Sequence, residues 1–461
     1  MSAGFSGLNT ALTALHAQRR GLEVTGQNIA NANTEGYTRQ RMDMQAVAGT
    51  PVPAIYSTWN GAGAGVSVSD INRLRDGFLE SRGRAEHANG ANLAEQQNVY
   101  VRIETIFAEP SDTALQSQFA DFWSGWADVA NQPGNMAART QLIERGAVVA
   151  DGLRGAYAAL SSQWDTQRVQ INAHVVEVNT AADAVAQLNQ TILTSRSAGL
   201  PQNELEDQRD LHLMKLAELI GAVGTYREDG TVDVSVGGST LVSAGSVRHL
   251  EATGATRMVD QATDRVRLRW ADNGQPTLVT GGRLAASLDA LGDVLPGFAG
   301  KLDGIAERLA EVINDQHELG FGLDGTDGRP FFNGSTAATI SVAVTSPQEL
   351  GVAKAAGSLD GSNAEKLAEL SKLVDGPDAA YRSMVVSLGV VSQTVSRRAD
   401  IQARVSEGVD ALRSADAGVN LDEEMTNMLT YQRAYEAASR VLNAVDGLLD
   451  TLINRTGLVG R

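Results

Sequence analysis

The sequence predicts a mainly α, elongated multidomain fold with a β insertion (α+β), in which N- and C-terminal helices pair as a coiled coil outside a helical-bundle domain and a small β domain. Three observations carry this expectation. Over residues 420–452, Met428, Tyr431, Tyr435, Ala438, Leu442, Val445, Leu449 and Leu452 recur at three- and four-residue steps, the period of a coiled-coil seam. At the other end Phe5, Leu8, Leu12, Leu15, Leu22 and Ile29 keep the same rhythm, broken only where Arg19 and Gly26 take seam positions. Between the two ends, helical periods surround one short region of strand-like alternation, residues 223–278.

Length and composition agree with several units. A chain of 461 residues that is 43% hydrophobic and 20% charged exceeds what one core usually supports. The pattern divides it into a terminal coiled-coil domain (1–39 and 419–461), a helical domain (40–221 and 283–418) and a β-rich insertion (222–282). Each outer layer thus needs chain from both ends. A net charge of −17 without any Lys/Arg cluster argues against nucleic acid and against anionic membrane surfaces. The absence of cysteine excludes disulfides and thiolate chemistry. Residues 1–15 lack a basic run followed by an unbroken apolar stretch, so a removable secretory signal is not expected, and no segment is apolar enough to span a bilayer.

The elements follow in order. Gly4, Gly7, Gly21 and Gly26 each cost about 1 kcal/mol relative to alanine inside a helix, so the first helix needs a partner to form. Asn28, Asn31, Asn33, Gly36 and Tyr37 lie in QNIANANTEGYTR, which reads as a helix stop and tight turn. Met42, Met44 and Ala46 alternate like a strand, Pro51 and Pro53 interrupt, and a turn at 61–65 leads to Val66 and Val68 in extended, irregular structure. From Asp70 a helical period places Ile71, Leu74, Phe78, Leu93, Tyr100, Ile103 and Ile106 on one face until Pro110. Ser111 or Asp112 is positioned to cap the next helix, whose Phe119, Phe122, Trp123 and Trp126 read as core. After Pro133 and Gly134 a long helix runs through Ile171, Val178, Val185 and Ile192, and a shorter one, 204–220, closes at Gly221.

Strands at Val232, Val234 and Val236 and at Val266, Leu268 and Trp270 are separated by turn pairs such as Asp229-Gly230 and Asn273-Gly274. Helical spacing returns at Leu284 to Leu295 and resumes after Pro296, and a brief strand is expected at 340–344. A last long helix sets Met384, Leu388, Val391, Val395, Val405, Val409 and Leu412 in register, and Gly418 separates it from the C-terminal seam, which Asn420 caps with Glu423 reaching back.

Catalytic patterns are not found. No two of the six histidines stand at metal-ligand spacing. His317-Glu318 begins an H-E motif, but Phe321 replaces the second zinc histidine, leaving a solvent-facing helix end as the expectation. Gly61, Gly63 and Gly65 lack the following helix of a dinucleotide loop, and Asp324 and Asp327 lack the distal glutamate of a calcium loop. There is no P-loop and no nucleophile elbow. The expectation is a structural protein, not an enzyme, with no cofactor and no metal.

SGLNTALTALHAQRRGLEVTGQNIANANTEGYTR resembles the N-terminal signature of bacterial flagellar rod, hook and hook-associated axial proteins. GVSVSDINRLRDGFLE, IETIFAEPSDTALQ, FWSGW, LEDQRDLHLMKLAELIG and the C-terminal NLDEEMTNMLTYQRAYEAASRVLNAVDGLLDTLI are more specifically similar to the hook-associated family of the hook-filament junction. The resemblance implies type III export from the cytoplasm, an extracellular position in the flagellum, and a homo-oligomeric ring built through the terminal helices. It implies as partners the hook protein, a second hook-associated protein and an export chaperone on the C-terminal helix. Many relatives carry a larger outer insertion after a segment like GFGLDGTDGRPFF, and here only a short stretch follows. A hook or distal-rod protein is the alternative, but it would have a mostly β middle, and an enzyme on a flagellar scaffold would need a polar pocket.

Overall fold

The computed structural model describes residues 2–47 and 63–451, with side chains from residue 7 onward. Pro51, Pro53, Gly61, Gly457, Leu452 and the Phe5 side chain lie outside the described residues. Helix α1 (Ser2–Ala30) leads through the Asn-rich turn into strand β1 (Gln40–Ala46), which pairs antiparallel with β2 (Val66–Arg73). The helix expected from Asp70 therefore starts later. Ile71 pairs with Met42 in the hairpin, and α2 (Gly77–Phe107) begins where Asp76 caps it by accepting from the backbone N–H groups of Phe78 and Leu79. Phe78 consequently stands 69% exposed, outside the core face it was expected to join.

Helix α3 (Leu115–Asn131) starts at Ala114 without a side-chain cap. Ser111 and Asp112 are too far upstream, and the Glu109 carboxylate accepts from the Gln116 N–H instead. The aromatic run on α3 is core: Phe119, Phe122 and Trp126 are fully buried, and Trp123 donates to Asp378. Asn135 caps α4 (Met136–Ser197), a 62-residue helix that spans roughly 90 Å at 1.5 Å per residue and serves as the spine. At its start Arg139, 1% exposed, donates to the carbonyls of Pro133, Pro347 and Leu350, and burial pushes its guanidinium down to about 10.

Helix α5 (Asn203–Ile220) ends on Gly221 in the left-handed region, φ 67°. The chain then forms a four-stranded antiparallel sheet, β3 (Val223–Tyr226), β4 (Val232–Val236), β5 (Ser239–Ser243) and β6 (Ser246–Val247). A separate pair follows, β7 (Leu250–Thr253) with β8 (Arg267–Trp270). The sheets dock on α4 through amides that imitate strand partners. Asn179 exchanges hydrogen bonds with the backbone of Leu250, and Asn189 does the same with Val232. The chain leaves where it entered: a Cβ on Gly221 would fall 2.8 Å from the Gly281 Cα, so only glycine allows the two backbones to pass.

Helix α6 (Gly282–Asp289) runs into α7 (Leu295–His317) through one π-type turn, so Pro296 does not interrupt the path as its sequence position suggested. Proline has no N–H to donate back, and the widened turn leaves the Leu291 carbonyl to accept from the Trp164 indole. His317 is 1% exposed, not solvent-facing. It contacts the Arg329 carbonyl through Nδ1 and accepts the Gly351 N–H through Nε2. The Asp324 carboxylate is taken by Thr326 and Arg329 in an Asx turn. Strands β9 (Phe332–Asn333) and β10 (Ser341–Val342) pair briefly before α8 (Ser362–Glu369) and α9 (Pro377–Ala417), which lies along α2. Met384, Leu388, Val395 and Val409 of α9 are buried, whereas Val391, Val405 and Leu412, expected in the same register, are exposed. One apolar core runs through helices and sheets alike. Helix α10 (Leu421–Asp450) returns along α1.

Candidate assembly interface

The two terminal helices pack antiparallel, with Gly7 beside Val445, Gly21 beside Tyr431 and Asn28 beside Glu424. A Cβ at Gly21 would lie 2.7 Å from the Tyr431 ring, so the glycine that weakens α1 as an isolated helix lets α10 approach. On α10 the contact face is the one the sequence period marks: Ala438 is buried, and Met428, Tyr431, Leu442, Val445 and Leu449 are half-buried. Tyr435 turns outward at 39% exposure.

On α1 the contact face differs from the leucine series. Ala11, Ala17, Gly21, Val24 and Asn28 are buried there, small residues that permit close approach. Leu8, Leu15, Leu22 and Ile29 are half-buried beside that face, and Leu12 is 44% exposed. Arg19 points outward to Glu23, and Gly26 meets nothing within 4 Å. At roughly 100° per residue, Leu15, Leu22 and Ile29 lie about a quarter to a third of a turn round from Gly21, and Leu8 and Leu12 lie further round, Leu12 by about half a turn. In an antiparallel pair Met425 and Leu429, 53% and 49% exposed, fall on the same flank. Thr13, which receives the Val66 N–H from the β1–β2 hairpin, lies on the other. The hairpin thus lies over one flank of α1, and the opposite flank of the pair carries an apolar stripe that is half-buried to exposed.

Where the pair meets the rest of the chain, the Asn-rich turn forms a polar joint. Asn28 donates to the Gln40 carbonyl (2.9 Å) and to Glu424 (3.0 Å), and it accepts from the Gln40 N–H and from the Tyr37 hydroxyl (2.8 Å). Burial and the nearby carboxylates of Glu204, Asp207 and Glu424 push the Tyr37 phenol upward, so it stays a donor. Arg39 pairs with Glu423 (2.8 Å) and with the buried Glu424 (2.7 Å). Glu423 therefore does not reach back to complete a capping box, although Asn420 does cap the helix. Gly36, φ 77°, lets the turn sit against Leu211 of α5. Asn31 folds back on the Gln27 carbonyl, and Asn33 is exposed.

The joint extends into the helical domain. The Thr38 N–H donates to Asp207, and buried Arg73 pairs with Glu206 (2.6 Å), Asp207 (2.7 Å) and Asp210 (3.0 Å). Burial opposes the Arg73 charge, but the three carboxylates overcome it and hold the guanidinium charged. Arg39, Arg73, Asp207 and Glu424 carry much of this site and were missed from sequence, because each partner sits on a different segment of the chain. Only the presence of Arg39 directly after the turn hinted at it. Glu424→Ala leaves Asn28 and Arg39 without their shared buried acceptor, which costs about 2–3 kcal/mol locally. The expected result is roughly tenfold or greater acceleration of amide exchange in α1 and α10, with α4 unchanged.

The architecture has relatives. The flagellar hook-associated protein FlgK helical domain model matches residues 100–332, just over half of the chain. The chain belongs to the FlgK family of flagellar hook-associated proteins. A model of flagella basal body rod proteins matches residues 8–38, and one of the basal body rod FlgEFG C-terminal region matches 415–455, so the two ends share features with other flagellar proteins. Flagellar hook-associated protein 1 of Bacillus subtilis is 29% identical over the full length of both chains. Its Escherichia coli counterpart is 25% identical over 97% of this chain and 99% of its own. The flagellar hook junction protein FlgK of Burkholderia pseudomallei has a similar fold, with a TM-score of 0.65 and 14% identity over 72% of this chain and 99% of that one. This FlgK-family chain is a structural component of the bacterial flagellum. Among the described residues no helix is long and apolar enough to cross a membrane, and no cluster of His, Asp and Glu is placed to hold a metal ion.

Proposed function

We propose that the chain forms a ring of identical subunits at the junction between hook and filament, joined through its terminal helix pair. The observation that carries this reading is the incompletely covered apolar flank of the helix pair, half-buried Leu8, Leu15, Leu22 and Ile29 with exposed Leu12, Met425 and Leu429, and α10 exposes Val441 and Leu448 as well. An apolar stripe that the fold leaves only partly covered marks an interaction surface. The relatives named as hook-associated and hook junction proteins support the location. In this reading the terminal pair (1–39 and 419–461) forms the axial part, and the helical domain and β insertion (222–282) face outward. The hook protein lies below and a second hook-associated protein above. The role is non-enzymatic. Export by the flagellar type III route, with a chaperone covering the C-terminal helix until then, fits a seam whose full burial needs both chain ends.

Two substitutions test the interface at different points. Leu442 lies on the contact between α1 and α10, so Leu442→Asp should unpair them in the free monomer. Leu12 lies on the outer flank, so Leu12→Asp should leave the pair intact and still block incorporation at the hook tip by at least tenfold. Circular dichroism of the middle region should match wild type in both. Normal incorporation of Leu12→Asp would refute the flank as the contact.

A further inference from the structure

Two long helices carry matching outer stripes that the fold leaves unused. On α9, Val390, Thr394, Arg397, Ile401, Val405 and Leu412 follow three- and four-residue steps, the interval before Leu412 passing through Gly408, and all are exposed. Val390 is 60% exposed, Ile401 57% and Leu412 54%. Single exposed apolar residues are ordinary, but repetition at the coiled-coil period over about six turns makes a seam. Its one charged member, Arg397, is basic, and Arg398 and Arg404 flank it. Arg397, Arg398 and Arg404 form no ion pair among the described residues, on a chain whose net charge is −17.

On α4, Asp165, Val169, Asn172, Val176, Thr180 and Asp183 keep the same rhythm and are all exposed, Val169 by 67% and Val176 by 64%. Here the charged members are acidic. Asp165 has no ion pair among the described residues, and Asp183 meets only the exposed His249. Helices α2 and α7 each pack against both α4 and α9 and stand between them.

We propose that α9 of one copy docks along α4 of the next, making a second lateral contact between subunits in the helical domain. With the two helices parallel and Ile401 set against Val169, Arg397 and Arg398 would face Asp165, which precedes Val169 by the same four residues that separate Arg397 from Ile401. The charge complementarity selects a second copy as occupant, because the acidic stripe that answers the basic one lies on the same chain at the same period. One chain offers both halves on separate surfaces, so the contact is head-to-tail and can propagate from subunit to subunit. It rests on the ring reading above but uses different residues.

The absence of cysteine makes the test direct. With Ile401→Cys and Val169→Cys placed together in the full-length chain, oxidation of assembled material should yield disulfide-linked copies, and oxidation of dilute monomer should not. No link in assembled material, or a link to a different protein, would overturn the proposal. Arg397→Glu, Arg398→Glu and Arg404→Glu combined should lower incorporation at least tenfold with unchanged circular dichroism, and Asp165→Arg in the same chain should restore part of it. If this triple variant incorporates normally while Leu12→Asp does not, the helical-domain contact is wrong and the terminal one stands. If Leu12→Asp incorporates normally, the terminal contact falls and the cysteine pair still decides this one.

Discussion

Trp126→Ala is expected to destabilise the helical domain by about 3–5 kcal/mol, the range for emptying a large aromatic site in a packed core. Trp126 has no exposed surface, and its ring centroid lies 5.4 Å from Phe331, 6.0 Å from His317 and 6.2 Å from Phe122. These rings come from α3, α7 and the segment leading into β9, so the cavity would sit where three separate stretches of chain meet. Adjacent Phe119 and Phe122 are themselves fully buried and cannot move in without opening voids of their own. The measurement is the midpoint of urea unfolding followed by near-ultraviolet circular dichroism. A shift no larger than that of an exposed control such as Val374→Ala would contradict the packing described.

Acidification is expected to weaken the same region through His317. Burial holds its imidazole down to about 4, from an ordinary value of 6.5, and the nearby Arg329 charge acts in the same direction, while the hydrogen bond to the Arg329 carbonyl only partly opposes them. The neutral ring is the one that fits: Nδ1–H donates to the Arg329 carbonyl, and Nε2 accepts from the Gly351 N–H. A second proton on Nε2 would set two donors against each other. Because the folded value lies below the unfolded one, the unfolded chain binds more protons between them. The stabilisation is therefore complete above pH 6.5 and is lost as pH falls toward 4, about 3 kcal/mol over that interval. Urea midpoints measured from pH 7 to pH 4 should fall accordingly. His317→Asn removes the titrating group and should flatten that part of the profile, even though the variant starts from lower stability.

Those two sites differ in how far the sequence revealed them. The aromatic run on α3 was legible because Phe119, Phe122, Trp123 and Trp126 share one helix face, and local periodicity reports burial of a local face. His317 was misread, because its acceptors and donors come from Arg329 and Gly351, which no local pattern ties to a helix end. The same division holds at the ends of the chain. The face of α10 that meets α1 was legible from its apolar period. The contact face of α1 was not, since close helix approach selects Gly21 and Ala17 over leucine, and hydrophobicity alone ranks those positions low. On α9 the register failed at Val391, Val405 and Leu412 for a related reason. A helix with apolar residues on two faces presents two periods at once, and a sequence pattern cannot tell which is turned inward.

The bond between Asn28 and Glu424 joins residues 396 positions apart in the chain. A contact of that separation cannot help to start folding, because closing so long a loop in an open chain is entropically unfavourable and slow. It becomes accessible once the helical domain has folded and drawn both ends to the same place. The terminal pair is therefore a late event, and it depends on α10 as much as on α1. A chain that stops short of α10 leaves the small-residue face of α1 and the Asn28 amide with nothing to meet. The joint thus reports on how far the chain extends: only a polypeptide that includes the start of α10 can close it.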